Sequence, residues 1–520
     1  MDAPGRVETQ AMSAERPITA NAGDRGALRE LLALAAPSVV TMSSYTVMQF
    51  VDKLMVSRIG PEPIYVAAQG NAGIVTWTLM TFSVGVAGVV NSFVSQNLGA
   101  GKPERGAAYA WNGMFLGLAW WLAIMLPAAL LIPWFYGLDM FAQHGDAVRV
   151  LQTEYAQIAI VGGVFTLMAK PMHNYFFGMH KPVVVAVCVI LGNAVNVFAN
   201  WVLIFGHLGA PEMGLSGAAL GTVIGTVFEF SLPLVIFLGV KYNTLYGTRG
   251  AWRPNKVCIK DLLRIGWTAG VMFINDLICW AILMVVLIPG AGKARALAQG
   301  LGEEAAEASA TIANSAGYIA LQFMHLSFMP AVGISIATQA VVGKAIGQGR
   351  TDRAHERAML GLKLGMAYMG VCAIVFFVFR EEGIAVFVDE STSPEDRAEL
   401  IRVGAVLMIG AAVFQVFDAV AIVLSAALRG AGDTVWPGVA SIVLSWSCVV
   451  GVGYLLIEVA PGLGVIGPWV GASGFIVLLA IVLWLRYAGG KWRTMKLTHD
   501  DPIHNLPPDE NIPGPGPEQL

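Results

Sequence analysis

Charge is scarce in this chain. Asp, Glu, Lys and Arg make up 13% of its 520 residues, against 56% hydrophobic residues, and mean hydropathy is +0.65. Soluble chains carry roughly a quarter of their residues charged, so a water-soluble globular domain is excluded. Cysteine is scarce as well. Cys188, Cys258, Cys279, Cys372 and Cys448 have no metal-ligand spacing, and four lie within apolar runs. They read as small packing residues, not as a disulfide framework or redox site. Residues 1–29 lack the apolar core of a signal peptide. The short Gly-rich turns GAGK (290–293) and GAGD (430–433) lack the full phosphate-loop pattern and a following strand, so they are loop glycines.

Apolar sequence is what the chain has in excess. Runs of spanning length fall at approximately 31–57, 69–98, 107–134, 153–177, 182–206, 214–240, 262–289, 310–346, 358–379, 402–428, 434–457 and 464–486. The fold expected is an all-α polytopic membrane protein with twelve transmembrane helices. The segments follow as an N-terminal tail (1–29), a first six-span lobe (30–240), a linker (241–261), a second six-span lobe (262–487) and a Pro-rich, acidic, disordered tail (488–520). Lys and Arg gather in alternate loops: Lys102 and Arg105, Lys181, Lys241 to Arg264, Arg350 to Arg357, Arg429, and Arg486 to Lys496. The other loops hold Asp139, Asp146, Glu212, Glu303, Glu304, Glu307, Glu390, Glu395 and Glu458. By the positive-inside rule both termini are cytoplasmic.

An internal repeat comes next. VGVAGVVNSFVSQNLGAGKPERGAAYAWNG (84–113) and VGISIATQAVVGKAIGQGRTDRAHERAMLG (332–361) align at a constant offset of 248, matching Gly85 with Gly333, Gly99 with Gly347, Gly101 with Gly349 and Arg105 with Arg353. Asn91 with Gln339 and Lys102 with Arg350 are conservative matches. Two six-span halves of the same in/out sense imply parallel repeats about an axis along the membrane normal, with a cleft between them.

Several motifs now resemble one family. PSVVTMSSYTVMQFVDKLMVSRIG (37–60) is similar to the first helix of multidrug and toxic compound extrusion (MATE) transporters, and SQNLGAGKPERG (95–106) to the loop after their second helix. NVFANWVLIFG (196–206) resembles their fifth helix, and Asp418 with LRGAGDT (428–434) their tenth. The resemblance runs from about residue 30 to 487. It implies two pseudo-symmetric six-helix lobes, V-shaped around a central cavity, with no cofactor beyond a coupling ion.

Three intramembrane acids are candidate sites by default, because a charge at mid-depth costs several kcal/mol unless it faces a polar interior. Asp418 precedes Arg429 by eleven residues, roughly 16 Å along a helix, which sets it near mid-depth if Arg429 marks the surface. Asp276 lies at similar depth in the seventh span. The resemblance implies a seventh-helix Glu paired with the tenth-helix Asp as a proton or cation site. This chain has Asn275-Asp276 there, and either residue could occupy the Glu position; a Na⁺ ion at Asp418 and Asp276 is one reading. Phe414 stands where some members have Tyr, removing a ligand oxygen. Asp52 lies towards the outer end of the first span. Asn196 and Asn200 share a helix face and either join it in an N-lobe polar pocket or link helices. Lys170, deep in the fourth span, needs a partner, for which Asp52 is the candidate.

Gln339 and His325 are further polar residues assigned to the cavity, although His325 reads first as a satisfied packing histidine. Glu229 either lines the cavity or faces the bundle. The Ala/Glu-rich stretch Ala291 to Ser309 is expected outside the membrane as a short helix over the cavity mouth. The function expected is a secondary active antiporter, not an enzyme. It would export small organic cations from a bacterial inner membrane against Na⁺ or H⁺, as a monomer whose other partner is the bilayer and not nucleic acid. A lipid-linked saccharide flippase is the alternative within transport, disfavoured because intramembrane bases are few. An intramembrane enzyme is the alternative of another class.

Overall fold

The computed structural model describes residues 20–60, 64–138, 145–388 and 393–498. Asp139, Glu390 and most of both tails lie outside the described residues. Among those described there is no strand, and twelve helices are long and apolar enough to cross a membrane. They are α1 (Gly26–Val56), α2 (Ile64–Gly99), α3 (Pro103–Tyr136), α4 (Asp146–Gly178), α5 (Pro182–Phe205), α6 (Gly214–Leu238), α7 (Lys256–Ala298), α8 (Glu303–Gly347), α9 (Thr351–Val378), α10 (Pro394–Ala431), α11 (Val435–Val459) and α12 (Ile466–Ala488). Helices are the open-ended solution here, because lipid offers no partner for a backbone N–H or C=O.

Local chemistry sets the ends. α3, α5 and α10 start on a proline, whose missing N–H is no loss in the first turn. The Ser393 hydroxyl accepts from the Asp396 N–H to cap α10, and the Asn255 side chain accepts from the Val257 and Cys258 N–H groups to cap α7. The seventh helix therefore begins at Lys256, inside the stretch expected to be linker. π-helical turns interrupt α3 (Trp121–Met125), α7 (Leu283–Leu287) and α11 (Ser445–Val452).

The structure corrects the expectation for residues 291–309. No separate cap helix forms; α7 runs on to Ala298 and α8 restarts at Glu303. At 43 and 45 residues these helices far exceed the ~20 residues that cross a bilayer, so together they project as a helical hairpin. Lys293 bridges Glu307 at 2.5 Å and Glu303 at 3.2 Å across it. Each half has its own apolar core, for example around Val90, Phe93, Tyr175 and Phe237 in the first and Leu407, Phe414, Trp469 and Phe475 in the second.

The two halves meet through the repeated segments, with reciprocal contacts. The Asn91 amide donates to the Ile336 carbonyl at 3.4 Å, while the Gln339 amide donates to the Gly88 carbonyl at 3.0 Å. The first residue of each bond is 248 positions from its counterpart, and so is the second. A Cβ on Gly99 would lie 2.1 Å from the Lys344 carbonyl oxygen and one on Gly347 2.0 Å from that of Gln96, again a pair of equivalents. Ser95 faces Gly343, its own repeat partner, so the local pseudo-twofold axis passes between them. Absent side chains let the backbones close to this distance, which is how helices adhere where lipid removes the hydrophobic drive.

Gly99 and Gly347 mark one end of the molecule, the basal end. Further inter-half bonds lie there: Ser92 Oγ to the Arg429 carbonyl (2.8 Å), Gln96 Nε2 to the Gly430 carbonyl (2.9 Å), Tyr109 to Asp261 (2.8 Å) and Arg357 to Glu30 (2.9 Å). His180, just past α4, pairs with the Ala340 carbonyl at 3.2 Å. Burial, and then the neighbouring Lys344, push its pKa down to about 3, so it is neutral.

Candidate functional site

In the second half, Asp276 on α7 and Asp418 on α10 are both half-buried, and the charge of one reaches the other. Among the described residues no hydrogen bond or ion pair reaches the Asp418 carboxylate, and Asp276 has only the Asn275 amide, at 3.5 Å. Asn275 itself turns away. Its amide donates to Ser445 Oγ at 2.8 Å, and its oxygen accepts from Trp446 Nε1 at 2.8 Å, both on the π-helical stretch of α11. Asn275 is thereby spent on packing, and Asp276 is left as the α7 acid whose charge Asp418 feels. Two bare carboxylates within reach of each other's field in a low dielectric repel one another; a proton or a cation bound at either relieves that.

Phe414 departs from its assignment to the cavity. It is 1% exposed and packs in the core, its ring centroid 6.4 Å from that of Trp469. The polar neighbour that the sequence reading missed is Gln415, fully buried and donating to Ser327 Oγ at 2.7 Å.

In the first half, Asp52, Asn196 and Asn200 come together. Asn200 donates to Asp52 Oδ1 at 2.8 Å and to Asn196 Oδ1 at 3.4 Å, and Asn196 donates to Thr222 Oγ1 at 3.3 Å. All but Thr222 are buried. The Asn200 Oδ1 has no donor among the described residues. This is an oxygen-rich pocket with one carboxylate and one unused acceptor.

Lys170 is not paired with Asp52, which corrects the sequence expectation. Its ammonium lies 3.4 Å from Glu229 on α6 and 3.0 Å from the Tyr45 hydroxyl, and 4.4 Å over the Tyr45 ring. Tyr45 also donates to Glu229, and His173 approaches the same carboxylate at 3.6 Å. Glu229 thus faces the bundle. Lys170 and His173 are three apart on α4 and share a face, a signal present in the sequence but read only for Lys170. Gln339 lies at the basal closure, buried and bonded to Gly88 and Ser92, not in a cavity wall. His325 is not a satisfied packing histidine: its Nε2 is buried without a partner among the described residues.

The three acids all lie beyond the basal closure. Asp418 is twelve residues past Gly430, Asp52 thirteen past Val39, against which Gly333 packs, and Asp276 six past Gly270, against which Gly85 packs. At ~1.5 Å per residue each stands roughly 9 to 20 Å beyond its own inter-half contact, on the side away from the basal end. Among the described residues no group of three or more His, Cys, Asp or Glu could hold a metal ion.

The MatE family model matches residues 37–202 and 310–455, one block in each half. A probable multidrug resistance protein NorM of Pseudomonas aeruginosa is 28% identical over 477 residues, 90% of each chain. One from Mesorhizobium japonicum is 26% identical over 89% of this chain and 94% of its own. The fold matches that of a solved multidrug resistance MATE family transporter of the MOP superfamily in an outward-facing conformation. Their TM-score is 0.75 at 21% identity, over 92% of this chain and 99% of that one. It also matches a MOP superfamily transporter from Pyrococcus furiosus, TM-score 0.76 at 20% identity, over 92% and 100%.

Proposed function

The chain belongs to the MatE family, the multidrug and toxic compound extrusion transporters, and on that premise we propose that it is a secondary active antiporter. It exports small organic cations in exchange for Na⁺ or H⁺, with both termini in the cytoplasm. The P. aeruginosa and M. japonicum relatives, both described as probable multidrug resistance proteins, support the efflux reading.

The observation that carries the coupling reading is the Asp276–Asp418 pair, which has no basic partner among the described residues. A coupling ion bound there changes the charge of the second half and so biases which end of the cleft is open. Substrate binding biases the return; each must prefer one state. The two halves offer different chemistry to an ion. Around Asp418 few oxygens are free, because the Asn275 oxygen serves Trp446, and a proton needs only one carboxylate oxygen. Around Asp52, the side-chain oxygens of Asn196, Asn200 and Thr222 suit a small hard cation, which takes several oxygen ligands. Basal closure with the acids beyond it corresponds to the state open to the outside.

Transport into proteoliposomes under separately imposed Na⁺ and pH gradients tests this. Gradient-dependent accumulation of an organic cation is the expected result. Facilitated movement indifferent to both gradients would reject antiport.

A further inference from the structure

The stretch after α12 was expected to be part of a disordered tail, yet within residues 491–498 both Trp492 and Leu497 are buried. Trp492 is 1% exposed. Its indole N–H donates to the Tyr487 carbonyl at 2.8 Å, and its ring stacks on Tyr487 at 4.9 Å between centroids. That fixes the segment to the second half. Five residues on, Leu497 is 7% exposed and joins an apolar cluster built mostly from the first half, with Cys258 and Leu262 of α7. Its N–H donates to Gln96 Oε1 on α2 at 2.8 Å, while the Gln96 amide donates to the Gly430 carbonyl on α10 at 2.9 Å. Gly432, with φ +101°, makes the turn after α10 and leaves the space Leu497 fills; a Cβ there would lie 2.9 Å from Leu497 Cδ2.

We propose that residues 491–498 are a strap that latches the two halves together at the basal end, and that Leu497 undocks each time that end opens. Leu497 sits between Gln96 of one half and Gly432 of the other, so any separation of the halves strips one wall from its pocket. The same separation breaks both bonds of the Gln96 side chain. Arg493, Thr494 and Lys496 are exposed, so the strap binds through Trp492 as anchor and Leu497 as latch. Its effect is to hold the basal end shut, and anything that pulls the chain beyond residue 498 away from the protein would ease opening. This goes beyond the antiport reading and rests on it only for the transport readout.

The test uses the full chain in proteoliposomes, with the five native cysteines replaced and Ser95→Cys as reporter. Ser95 is 0% exposed and sits on the pseudo-twofold axis, so maleimide reaches it only when the basal end opens. Ending the chain after Met495 keeps the Trp492 anchor and removes the latch. Labelling should accelerate about tenfold or more, the factor expected for loss of one buried leucine. Leu497→Ala should give a severalfold increase and the exposed Lys496→Ala none. A truncated chain labelled within twofold of full length would overturn the proposal, whichever ion or substrate the protein uses. Should the truncated chain fail to fold, Gln96→Cys with Leu497→Cys, joined by a short thiol cross-linker, replaces it. Efflux should then stop on cross-linking and persist in the unlinked protein. Undiminished efflux from fully cross-linked protein would refute undocking.

Discussion

Replacing Lys170 with methionine keeps the stem that packs on Tyr45 and removes the charge that Glu229 faces. Glu229 and Lys170 side chains are 10% and 20% exposed, so water cannot replace the lost partner. Breaking a buried pair from one side costs about 3 to 5 kcal/mol. The Tyr45 hydroxyl still donates to Glu229, which places Lys170→Met near the lower bound, about 3 kcal/mol. Adding Glu229→Gln removes the stranded charge while leaving an amide oxygen for the Tyr45 hydroxyl. The double variant should recover most of the loss, with a coupling of about 2 kcal/mol. Lys170→Met combined with Asp52→Asn should be additive within about 0.5 kcal/mol, since those residues share no partner. Equilibrium unfolding of purified protein by SDS titration in mixed micelles measures all of these. A cost below about 1 kcal/mol for Lys170→Met, or coupling to Asp52 and not to Glu229, would refute the reasoning.

Other expectations follow from the same contacts. Gly85→Ala and Gly333→Ala place a Cβ 2.6 Å from Gly270 Cα and Val39 Cα; overpacking should cost about 1 to 3 kcal/mol of basal closure, read as faster labelling at Ser95→Cys. Asn275→Ala should lower efflux by disordering Asp276 while leaving the ion dependence intact, whereas Asp276→Asn should abolish that dependence; equal loss of ion dependence in both would make Asn275 a ligand. His180 is neutral in the closed state, its pKa lowered from 6.5 to about 3. If opening exposes it, acid favours the open state, by up to about tenfold per pH unit below about 6.5. Labelling at Ser95→Cys should then rise from pH 6.5 to 5 and lose that rise in His180→Gln. Thiol labels at Lys102→Cys and Arg350→Cys should react from one face of the membrane and at Glu304→Cys from the other; opposite faces for the first two would end the parallel-repeat description.

The spans and the repeat were legible because each depends on order along the chain. Hydropathy over about 20 residues marks a crossing whatever its neighbours are, and the 248-residue offset later proved to be the geometry of the Asn91–Ile336 and Gln339–Gly88 bonds. Depth along a helix was legible for the same reason. Azimuth was not. Asp52 and Lys170 each need a polar neighbour, but only the packing of α1, α4 and α6 decides that Lys170 meets Glu229 and Asp52 meets Asn200. Asn275 and Asp276 could not be told apart by composition, because adjacent residues on a helix point about 100° apart and the facing helix chooses between them. Composition also concealed the strap: two apolar side chains, Trp492 and Leu497, in a polar stretch look like noise until Gln96 and Gly432 appear opposite them.

The central claim is that the Asp276–Asp418 pair couples ion binding to export. Asp418→Asn retains size and hydrogen-bonding capacity but removes the charge and the proton site. Phe414 is core-packed, so the control is Val413→Ala, at a residue that is 62% exposed on the same helix. The measurement is gradient-driven efflux in proteoliposomes, normalised to folded protein, with organic-cation binding assayed separately. Asp418→Asn should fold, bind substrate and lose gradient-driven efflux by at least about tenfold, as expected if a charge interaction of about 1.4 kcal/mol or more links the ion to the conformational equilibrium, while Val413→Ala runs at the wild-type rate. Wild-type efflux with unchanged ion dependence in Asp418→Asn would contradict the account.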